Sequence, residues 1–513
     1  MIYIGKIIQQ TTKGIISVRK RSSNPLILQK KVLTKLLRKA MLTEISFSYD
    51  FEKMLKPITG LSIEEFQKRI PISTYDEFFE LWLTRILNGE RDITWPGRIK
   101  HFALSSGTTG SPSKRIPISK QMIRSFQLSS LGQFNVLFKE ELPVSFYKYQ
   151  VLTIGGSTKL NKVDNHFEGD LSGILRKHTA LIARNVTLPG PNITDLKDFQ
   201  DKLKLMIQEA PNWDVGILAG IPTWCVKVME EIVKHYNLES IHDIWPNLRV
   251  YVHGGVYMDP YRKRLEKLCK EPLILLDTYL ASEGYFAYQD DVSKTGMKLL
   301  MNRGIFFEFI PFNKDYFDAN GNLLDRNRAL TIDQIEEGVD YAIIISTNSG
   351  LWRYILGDLV RFLNKKDLRL IISGRIKQTL NLCGEHLTLD NLNQAIKETC
   401  QEVNLPHLDY TIVSNEIEQY HHWYMEKQVG IDSDKLMELI DRKLCRLNDD
   451  YQYVRKHALS PPVLTYLPND TFYEYMKSHN KLGAQNKMPR VLNQEQAKQW
   501  LYFINHFGQR LIK

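Results

Sequence analysis

The sequence contains the segment Ser105-Ser106-Gly107-Thr108-Thr109-Gly110-Ser111-Pro112-Ser113-Lys114, in which small, hydroxylated and flexible residues end in a single cation. Glycines let backbone amides approach an anion closely, hydroxyl groups donate further hydrogen bonds, and the lysine adds a point charge. The composition predicts a loop that holds phosphate, although the same residue types also occur in ordinary solvated turns. Nucleotide chemistry is therefore the leading hypothesis.

The flanks of this segment place it between secondary-structure elements. The apolar run His101-Phe102-Ala103-Leu104 precedes it and Ile116-Pro117-Ile118 follows, with Ser119 in position to cap a helix that begins near Lys120. We therefore expect a loop between two strands, followed by a helix. The segment is not a Walker A loop, because the Gly-x-x-x-x-Gly-Lys-Ser/Thr spacing is missing and no helix starts directly after Lys114.

Composition bounds the class of protein. The 513 residues are 43% hydrophobic and 25% charged, which is typical of a globular chain with more than one domain. The net charge of +10 arises in good part from an N-terminal amphipathic helical pattern, whose basic residues favour a solvated helix face over a nucleic-acid arm. These basic residues are Arg21, Lys30, Lys31, Lys35, Arg38 and Lys39.

Apolar runs near the N-terminus are interrupted by charges before they reach signal-peptide length, and no window resembles a membrane span. The five cysteines are scattered and show no CxxC pairing, so we expect reduced thiols and no zinc site. We predict a cytoplasmic monomer that acts on small molecules, without a nucleic-acid or membrane partner.

The order of patterns along the chain predicts an α/β protein. From Val151 to Arg361 short apolar strands alternate with helical stretches, whereas the C-terminal part mixes helices with a strand at Tyr410-Thr411-Ile412-Val413. We predict a large N-terminal domain of mixed sheets and helices over residues 1–373, and a smaller α+β domain over residues 374–513. The predicted phosphate loop belongs to the larger domain.

A carboxylate follows one of the predicted strands. Asp277-Thr278-Tyr279-Leu280-Ala281-Ser282-Glu283-Gly284 comes after the apolar strand Leu273–Leu276, where α/β proteins gather their ligands. Glu283 supplies the hard oxygen that magnesium needs beside a polyphosphate, and the Tyr279 ring offers a surface for a base. The alternative is a Ser-Glu pair that starts a helix.

A second carboxylate follows the run Leu351-Trp352-Arg353-Tyr354-Ile355-Leu356-Gly357. Asp358 is suited to accept hydrogen bonds from two ribose hydroxyls, and the alternative is a plain Gly-Asp hairpin turn. For Arg353, a phosphate contact and a structural ion pair remain equally open.

These motifs, in this order, resemble the plant auxin-responsive acyl-acid amido synthetases and their bacterial relatives. The resemblance includes Ser-Ser-Gly-Thr-Thr-Gly with Lys114, the run from Tyr279 to Glu283, and Trp352-Arg353-Tyr354 through Asp358, and it extends over most of the chain. It implies membership of the adenylate-forming, firefly-luciferase-like superfamily, with a bacterial-type sequence. It also implies ATP and Mg²⁺ as cofactors. The expected nucleotide ligands are Ser105, Ser106, Gly107, Thr108, Thr109, Lys114, Thr278, Tyr279, Ser282, Asp358 and Arg375, with Glu283 as the metal ligand.

The C-terminal motifs add a catalytic candidate and one departure. Gly374-Arg375-Ile376-Lys377 is similar to the superfamily segment that enters the mobile domain and implies a hinge there. Where plant members carry Asp-Lys-Thr, this chain has Glu385-His386-Leu387-Thr388, so that family lysine has no counterpart. Asn486-Lys487-Met488-Pro489-Arg490 resembles the family's Lys-x-Pro-Arg segment. Lys487 is therefore preferred over Lys481 as the catalytic lysine, against the alternative of an exposed basic loop.

The resemblance implies that a carboxylic acid is adenylated by ATP and that its acyl group then passes to an amino acid. The alternatives are an acyl-CoA ligase that shares the first step, and a nucleotide-binding protein without turnover. Three residues are candidates for substrate contact. Arg124 is placed against the acid, unless it is a surface arginine; Trp224 is expected to line the acid pocket; and His253 either assists the amine step or satisfies a buried hydrogen bond.

Overall fold

The structure is a computed structural model. It describes residues 24–510 apart from 57–59, 106–113, 141, 180–185, 197, 256–257, 319–320, 377–379, 381, 384, 386, 407, 428–429, 480 and 483–487.

A large mixed sheet forms the centre of the protein and has eleven strands within the described residues. Its strands, in spatial order, are Ile305–Pro311, Asp340–Thr347, Tyr354–Asn364, Arg369–Arg375, Met297–Leu299, Gly284–Tyr288, Ile274–Ala281, Val250–Gly254, Val215–Gly220, Gln150–Ile154 and Thr187–Leu188. The last five of these run parallel to one another, and the remaining neighbours pair antiparallel.

Burial explains the sequence pattern. Strands that are buried on both faces read as short continuous apolar runs, and four such runs predict strands of this sheet. The structure has strands there, at Gln150–Ile154, Val250–Gly254, Ile274–Ala281 and Asp340–Thr347, of which the last lies in the antiparallel part. The α/β prediction is correct, and the antiparallel half makes the sheet mixed.

Helices cover this sheet and precede it in the chain. They are Pro25–Ala40, Glu44–Tyr49, Phe51–Met54, Ile63–Arg69, Tyr75–Phe78, the π-helical turn Phe79–Leu83, Thr84–Leu87, Lys120–Phe134, Leu171–Lys177, Pro191–Thr194, Phe199–Glu209, Pro222–His235 and Asp259–Leu268. Short 3₁₀ turns lie at Asn135–Phe138, Val144–Lys148, Ala210–Asn212 and Ile241–Asp243. A two-stranded ribbon pairs Leu55–Lys56 with Gly60–Leu61.

The first of these helices shows the predicted amphipathic pattern. Val32, Leu33, Leu36 and Leu37 are buried, whereas the lysines and arginines of Pro25–Ala40 are exposed. This confirms the solvated basic face along the helix. Arg21 lies outside the described residues.

A small sheet contains both described ends of the segment from Ser105 to Lys114. Its strand order is Lys114–Ile118, His101–Ser105, His166–Gly169 and Asn161–Val163, and Ser105 pairs directly with Lys114. The Ser119 hydroxyl accepts a hydrogen bond from the Met122 amide at 3.0 Å and caps helix Lys120–Phe134. The two predicted strands, His101–Ser105 and Lys114–Ile118, and the capped helix after them are confirmed.

The C-terminal part is a separate α+β layer, as predicted. Its four-stranded sheet has the order Val463–Leu467, Tyr420–Glu426, Tyr410–Asn415 and Val491–Leu492. Helices Leu389–Glu402, Ser433–Leu447, Asp449–His457, Thr471–Ser478 and Gln494–Arg510 pack with it. The division at residues 373 and 374 remains a prediction; the large sheet ends at Arg375 and the small one begins at Tyr410.

Two further expectations concern membranes and thiols. Within the described residues, no helix is both long and apolar enough to cross a bilayer. All five cysteines are free thiols in the structure.

Candidate active site

A deep cleft with a volume of about 2280 Å³ opens at the end of the large sheet and is lined by both the N-terminal and the C-terminal parts of the chain. Every nucleotide or metal ligand that was predicted and is described lines this cleft: Ser105, Lys114, Thr278, Tyr279, Ser282, Glu283, Asp358 and Arg375. The fold therefore brings together motifs that are separated by up to 270 residues in the sequence.

The predicted phosphate loop enters the cleft at both of its described ends. Ser105 and Lys114 line the cleft, and the Lys114 ammonium lies 5.1 Å from the centre of the Tyr75 ring. Ser106, Gly107, Thr108 and Thr109 lie outside the described residues, so their role remains a prediction. The position of Ser105 and Lys114 at the cleft suits that role.

Glu283 lies in a tight turn. Ala281 pairs with Gly284 across strands Ile274–Ala281 and Gly284–Tyr288, which leaves Ser282 and Glu283 as the two turn residues. The alternative of a helix-starting Ser-Glu pair is therefore wrong. The predicted strand Leu273–Leu276 was also too short, because Asp277 to Ala281 continue it.

The environment of Glu283 is unusual for a carboxylate. Only 7% of the residue is exposed, and no lysine or arginine among the described residues lies within 4 Å of it. Burial raises its pKa, an effect that Lys114 and Arg375 partly oppose and Asp358 reinforces. A divalent cation that arrives with a nucleotide triphosphate would neutralise this charge, so Glu283 fits the magnesium role predicted for it. No cluster of three or more metal-binding side chains occurs in the described part of the chain.

Asp358 is held by two partners. Its Oδ2 accepts a hydrogen bond from the Tyr279 hydroxyl at 2.9 Å, and its Oδ1 lies 2.8 Å from Arg375 Nε. The Tyr279 ring is buried and makes an edge contact with Phe286, and burial followed by the charge of Asp358 raises its pKa well above the ordinary value. Stacking of Tyr279 on a base remains a prediction.

Asp358 does not lie in a hairpin turn. It lies within strand Tyr354–Asn364, where Ala342 pairs with Leu359 and Ile344 pairs with Ile355, so that residues 356–358 bulge opposite a single residue. Gly357 adopts a φ of 89° in this bulge, a conformation that glycine tolerates best. The alternative of a Gly-Asp hairpin turn is therefore wrong. The bulge places Asp358 at the wall of the cleft.

The remaining nucleotide candidates lie along the same edge. The Thr278 hydroxyl donates a hydrogen bond to the His253 carbonyl at 2.7 Å and so ties two parallel strands together. A Cβ on Gly254 would lie 2.4 Å from the Thr278 carbonyl oxygen, so this close approach requires glycine. Ser282 is buried, and its hydroxyl has no hydrogen-bond partner among the described residues. An unpartnered buried hydroxyl is suited to a ligand.

Arg353 is a structural residue rather than a phosphate ligand. It is fully buried, and its Nε lies 3.0 Å from Glu308 Oε2. Its remaining nitrogens donate to the carbonyl oxygens of Gln67, Ile70 and Asn327. All three nitrogens of the guanidinium group thus donate to groups of the protein, which settles the open alternative in favour of the ion pair.

The structure describes two of the substrate candidates on this side of the cleft. Arg124 is exposed on the outer face of helix Lys120–Phe134, and the cleft is lined instead by Ser130 and Gln133 of the same helix. Of the two alternatives for Arg124, the structure favours the surface arginine, because its helical phase points it to solvent. Trp224 lines the cleft and also packs in the core, 4.7 Å from the Phe199 ring centre, and its contact with the acid remains a prediction.

Lys487 lies outside the described residues, so its catalytic role remains a prediction. Lys481, the competing lysine, lines the cleft and has no carboxylate partner among the residues that the structure describes. Burial lowers its pKa. Its neighbour Leu482 packs against the apolar cluster of the N-terminal part that includes Trp224.

The structure adds cleft residues to which the sequence analysis assigned no role. The Tyr285 hydroxyl donates to Gln133 Oε1 at 2.6 Å, and Gln133 Nε2 has no partner within the described residues. Gln133 shares a helix face with Met122, Phe126 and Ser129, so the helical period placed it inward. Asp277 also lines the cleft, directly after the apolar run that predicted its strand.

The comparisons with solved structures define the class of fold. The structure of 2-hydroxyisobutyryl-CoA ligase in complex with R3-HIB-AMP matches 94% of this chain and 91% of its own, with a TM-score of 0.59 and 12% identity. AtGH3.15 acyl acid amido synthetase in complex with 2,4-DB matches 98% of this chain and 97% of its own, with a TM-score of 0.74 and 18% identity. The chain thus has the fold of the adenylate-forming enzymes.

Family models identify the chain more narrowly. The GH3 family N-terminal domain matches residues 15–149 and 157–274, the central domain residues 298–367, and the C-terminal domain residues 390–496. Together they match more than half of the chain in the family's order, so the chain belongs to the GH3 family.

The curated relatives of this chain are similar over part or most of their length. Indole-3-acetic acid-amido synthetase GH3.2 of Arabidopsis thaliana is 25% identical over 69% of this chain and 74% of its own length. Jasmonoyl--L-amino acid synthetase GH3.5 of Oryza sativa subsp. japonica is 28% identical over 50% of this chain and 47% of its own length.

Proposed function

We propose that this protein is an ATP-dependent acyl-acid amido synthetase. In the first half-reaction a carboxylic acid attacks the α-phosphorus of ATP and forms an acyl-adenylate and pyrophosphate. In the second, the amine of an amino acid displaces AMP and forms an amide. The observation that carries the proposal is the convergence of Lys114, Glu283 and Asp358 in one cleft of a GH3-family chain.

Each described ligand suits a part of ATP. The Asp358 carboxylate, oriented by Tyr279 and Arg375, is the ribose acceptor. Ser105, Lys114 and the unpartnered Ser282 hydroxyl are donors toward the phosphates. Glu283 would hold the magnesium that accompanies ATP, and that cation would lower the charge repulsion between the phosphates and the incoming carboxylate.

Adenylation is necessary because a carboxylate is a poor acyl donor. Attack on a free acid would expel an oxide, whereas attack on an acyl-adenylate expels AMP. We propose that Lys487 supplies positive charge near the α-phosphate as negative charge develops there. The C-terminal part lines the cleft beside the N-terminal part, which supports a mobile domain of residues 374–513 with a hinge near Arg375.

The remaining expectations are also proposals. The replacement of the plant Asp-Lys-Thr by Glu385-His386-Leu387-Thr388 supports a bacterial-type member of the family. The free cysteines support a reducing, cytoplasmic location. We propose that the protein acts as a monomer on small molecules.

One enzyme alternative shares this cleft. An acyl-CoA ligase performs the same first half-reaction, and a CoA ligase has the same fold. Pyrophosphate release should be measured across a panel of carboxylic acids, beginning with arylacetic and benzoic acids. Products should then be identified by mass with pooled amino acids or with CoA. The proposal predicts acid-dependent pyrophosphate release and amides; thioesters without amides would favour the ligase, and a lack of acid-dependent release would exclude both.

A further inference from the structure

Asp277 and His253 stand side by side at the end of the parallel half of the large sheet. They are register partners on the neighbouring strands Ile274–Ala281 and Val250–Gly254, and both line the cleft. The Asp277 side chain is 43% exposed, and the cleft gives access to it. Asp277 precedes Glu283 by six residues, and both residues line the cleft that holds the proposed ATP site.

Asp277 has no cationic partner among the described residues. His253 Nδ1 lies 3.5 Å from Asp277 Oδ1, and burial lowers the pKa of His253 to about 4, so the imidazole is uncharged at neutral pH. Four other carboxylates of the cleft, namely Asp259, Asp358, Asp390 and Asp409, are each paired with a lysine or arginine. When Asp277 is ionised, its charge is therefore available to a cationic ligand.

The groups that face Asp277 from the neighbouring elements are uncharged, and the nearby arginine acts on His253 instead. The Asp277 Oδ1 accepts a hydrogen bond from the Thr278 amide at 2.9 Å. Tyr285, in the partner strand Gly284–Tyr288, and Gln289, directly after that strand, also face Asp277. Arg262, on helix Asp259–Leu268, acts on His253. Although 43% of the side-chain surface is open to the cleft, enclosure by the cleft walls raises the pKa of Asp277 to about 7. A carboxyl group with such a pKa exchanges protons readily near neutral pH.

We propose that Asp277 binds the ammonium group of the acceptor amino acid and accepts a proton from it during amide formation. This inference rests on the proposed function and assigns a residue to its second half-reaction. The nitrogen loses one proton to Asp277 and then attacks the acyl carbon with its lone pair. As the C–N bond forms, the C–O bond to AMP breaks and its electron pair leaves with the phosphate. The nitrogen's second proton passes to water.

The variant Asp277→Asn tests this assignment, because asparagine keeps the shape and the hydrogen bond to the Thr278 amide but has no charge. Acid-dependent ATP–pyrophosphate exchange should stay within about threefold of wild type, whereas amide formation should fall roughly 100-fold or more. Hydroxylamine, which is uncharged at neutral pH, needs no base. Hydroxamate formation should therefore be retained within a few-fold in Asp277→Asn.

The pH profile gives a second measurement. The amide-forming step of the wild type should gain rate as pH rises through about 7, the pKa of Asp277, and this inflection should be missing in Asp277→Asn. Asp367→Asn is the matched control, since Asp367 has a similar exposure of 42% but lies outside the cleft. It should leave both half-reactions unchanged.

Two results would overturn the inference. Amide formation at the wild-type rate in Asp277→Asn would exclude Asp277 as the proton acceptor, and an equal loss of hydroxamate and amide would assign it to acyl transfer in general. Failure of the proposed function is distinguishable, because wild-type protein would then show no acid-dependent exchange.

Discussion

The Tyr279 hydroxyl donates a hydrogen bond to Asp358 Oδ2 at 2.9 Å and joins two strands that are 79 residues apart in the sequence. This bond and the Arg375 ion pair together orient the carboxylate that we assign to the ribose. The motif that ends in Glu283 and the motif that ends in Asp358 are therefore joined in one site.

Removal of the Tyr279 hydroxyl should weaken ATP binding. Tyr279→Phe leaves Asp358 with one partner fewer, and a hydrogen bond to a charged group contributes about 1.5–3 kcal/mol. We expect the KM for ATP to rise roughly tenfold or more in steady-state pyrophosphate release, with a smaller effect on kcat. Tyr341→Phe removes a buried tyrosine hydroxyl that accepts from the Glu336 amide away from the cleft, and it should leave the KM unchanged. Equal effects of the two variants would contradict a specific role for Tyr279.

Glu308→Gln should destabilise the fold rather than disturb catalysis directly. The Arg353 guanidinium is fully buried against Glu308, and removal of one partner leaves an uncompensated charge in the core. The free energy of unfolding should fall by about 3–5 kcal/mol in a denaturant titration. Arg326→Gln breaks an exposed ion pair with Glu77 and should cost less than about 1 kcal/mol. A loss for Glu308→Gln no larger than for Arg326→Gln would contradict the structural role.

Lys487 and Lys481 can be separated by substitution. Lys487→Ala should slow acyl-adenylate formation by roughly 10²–10³-fold with nucleotide binding largely intact, because its proposed contribution is to the transition state. Lys481→Ala should have a much smaller effect on that step. Single-turnover adenylation and ATP binding by calorimetry provide the two measurements. If the two variants exchange these behaviours, Lys481 is the catalytic lysine.

The raised pKa of Asp277 should also be visible in stability. The folded protein holds a proton on Asp277 up to about pH 7, whereas an unfolded aspartate releases it near pH 3.8. The folded state therefore binds the proton more tightly, and this contribution to stability is lost as pH rises from about 4 to about 7. Asp277→Asn should raise the Tm relative to wild type at pH 8 and change it little at pH 4. Equal Tm differences at both pH values would contradict a raised pKa.

Local patterns in the sequence predicted the elements that local chemistry controls. The hydroxyl of Ser119 caps its helix wherever that helix packs, and the alternation of apolar and basic residues orients helix Pro25–Ala40 by hydrophobic burial alone. Strands that are buried on both faces appear as apolar runs, which is why Asp340–Thr347 could be predicted.

Predictions failed where a neighbouring strand or helix decides the outcome. Asp277 to Ala281 appeared to follow a strand, but pairing with Gly284–Tyr288 extends the strand through them. Gly357-Asp358 resembled a turn, and only pairing on both sides makes it a bulge within a strand. For Arg124 the sequence left an acid contact and a surface position open, and the packing of its helix turns it to solvent.

The sequence alone predicted which chemistry the chain carries, because the residue types of the Ser105 to Lys114 segment, Glu283 and Asp358 are those of ligands for phosphate, magnesium and ribose. It also determined the family, since ordered motifs are a property of the chain. Only the tertiary structure decided which charges are free to act. Arg353 is paired with Glu308 in the core and Asp358 is oriented by Tyr279 and Arg375, whereas Asp277 has no cationic partner among the described residues. The physical reason is that a charge is balanced by groups that are close in space, and those groups come from distant parts of the chain.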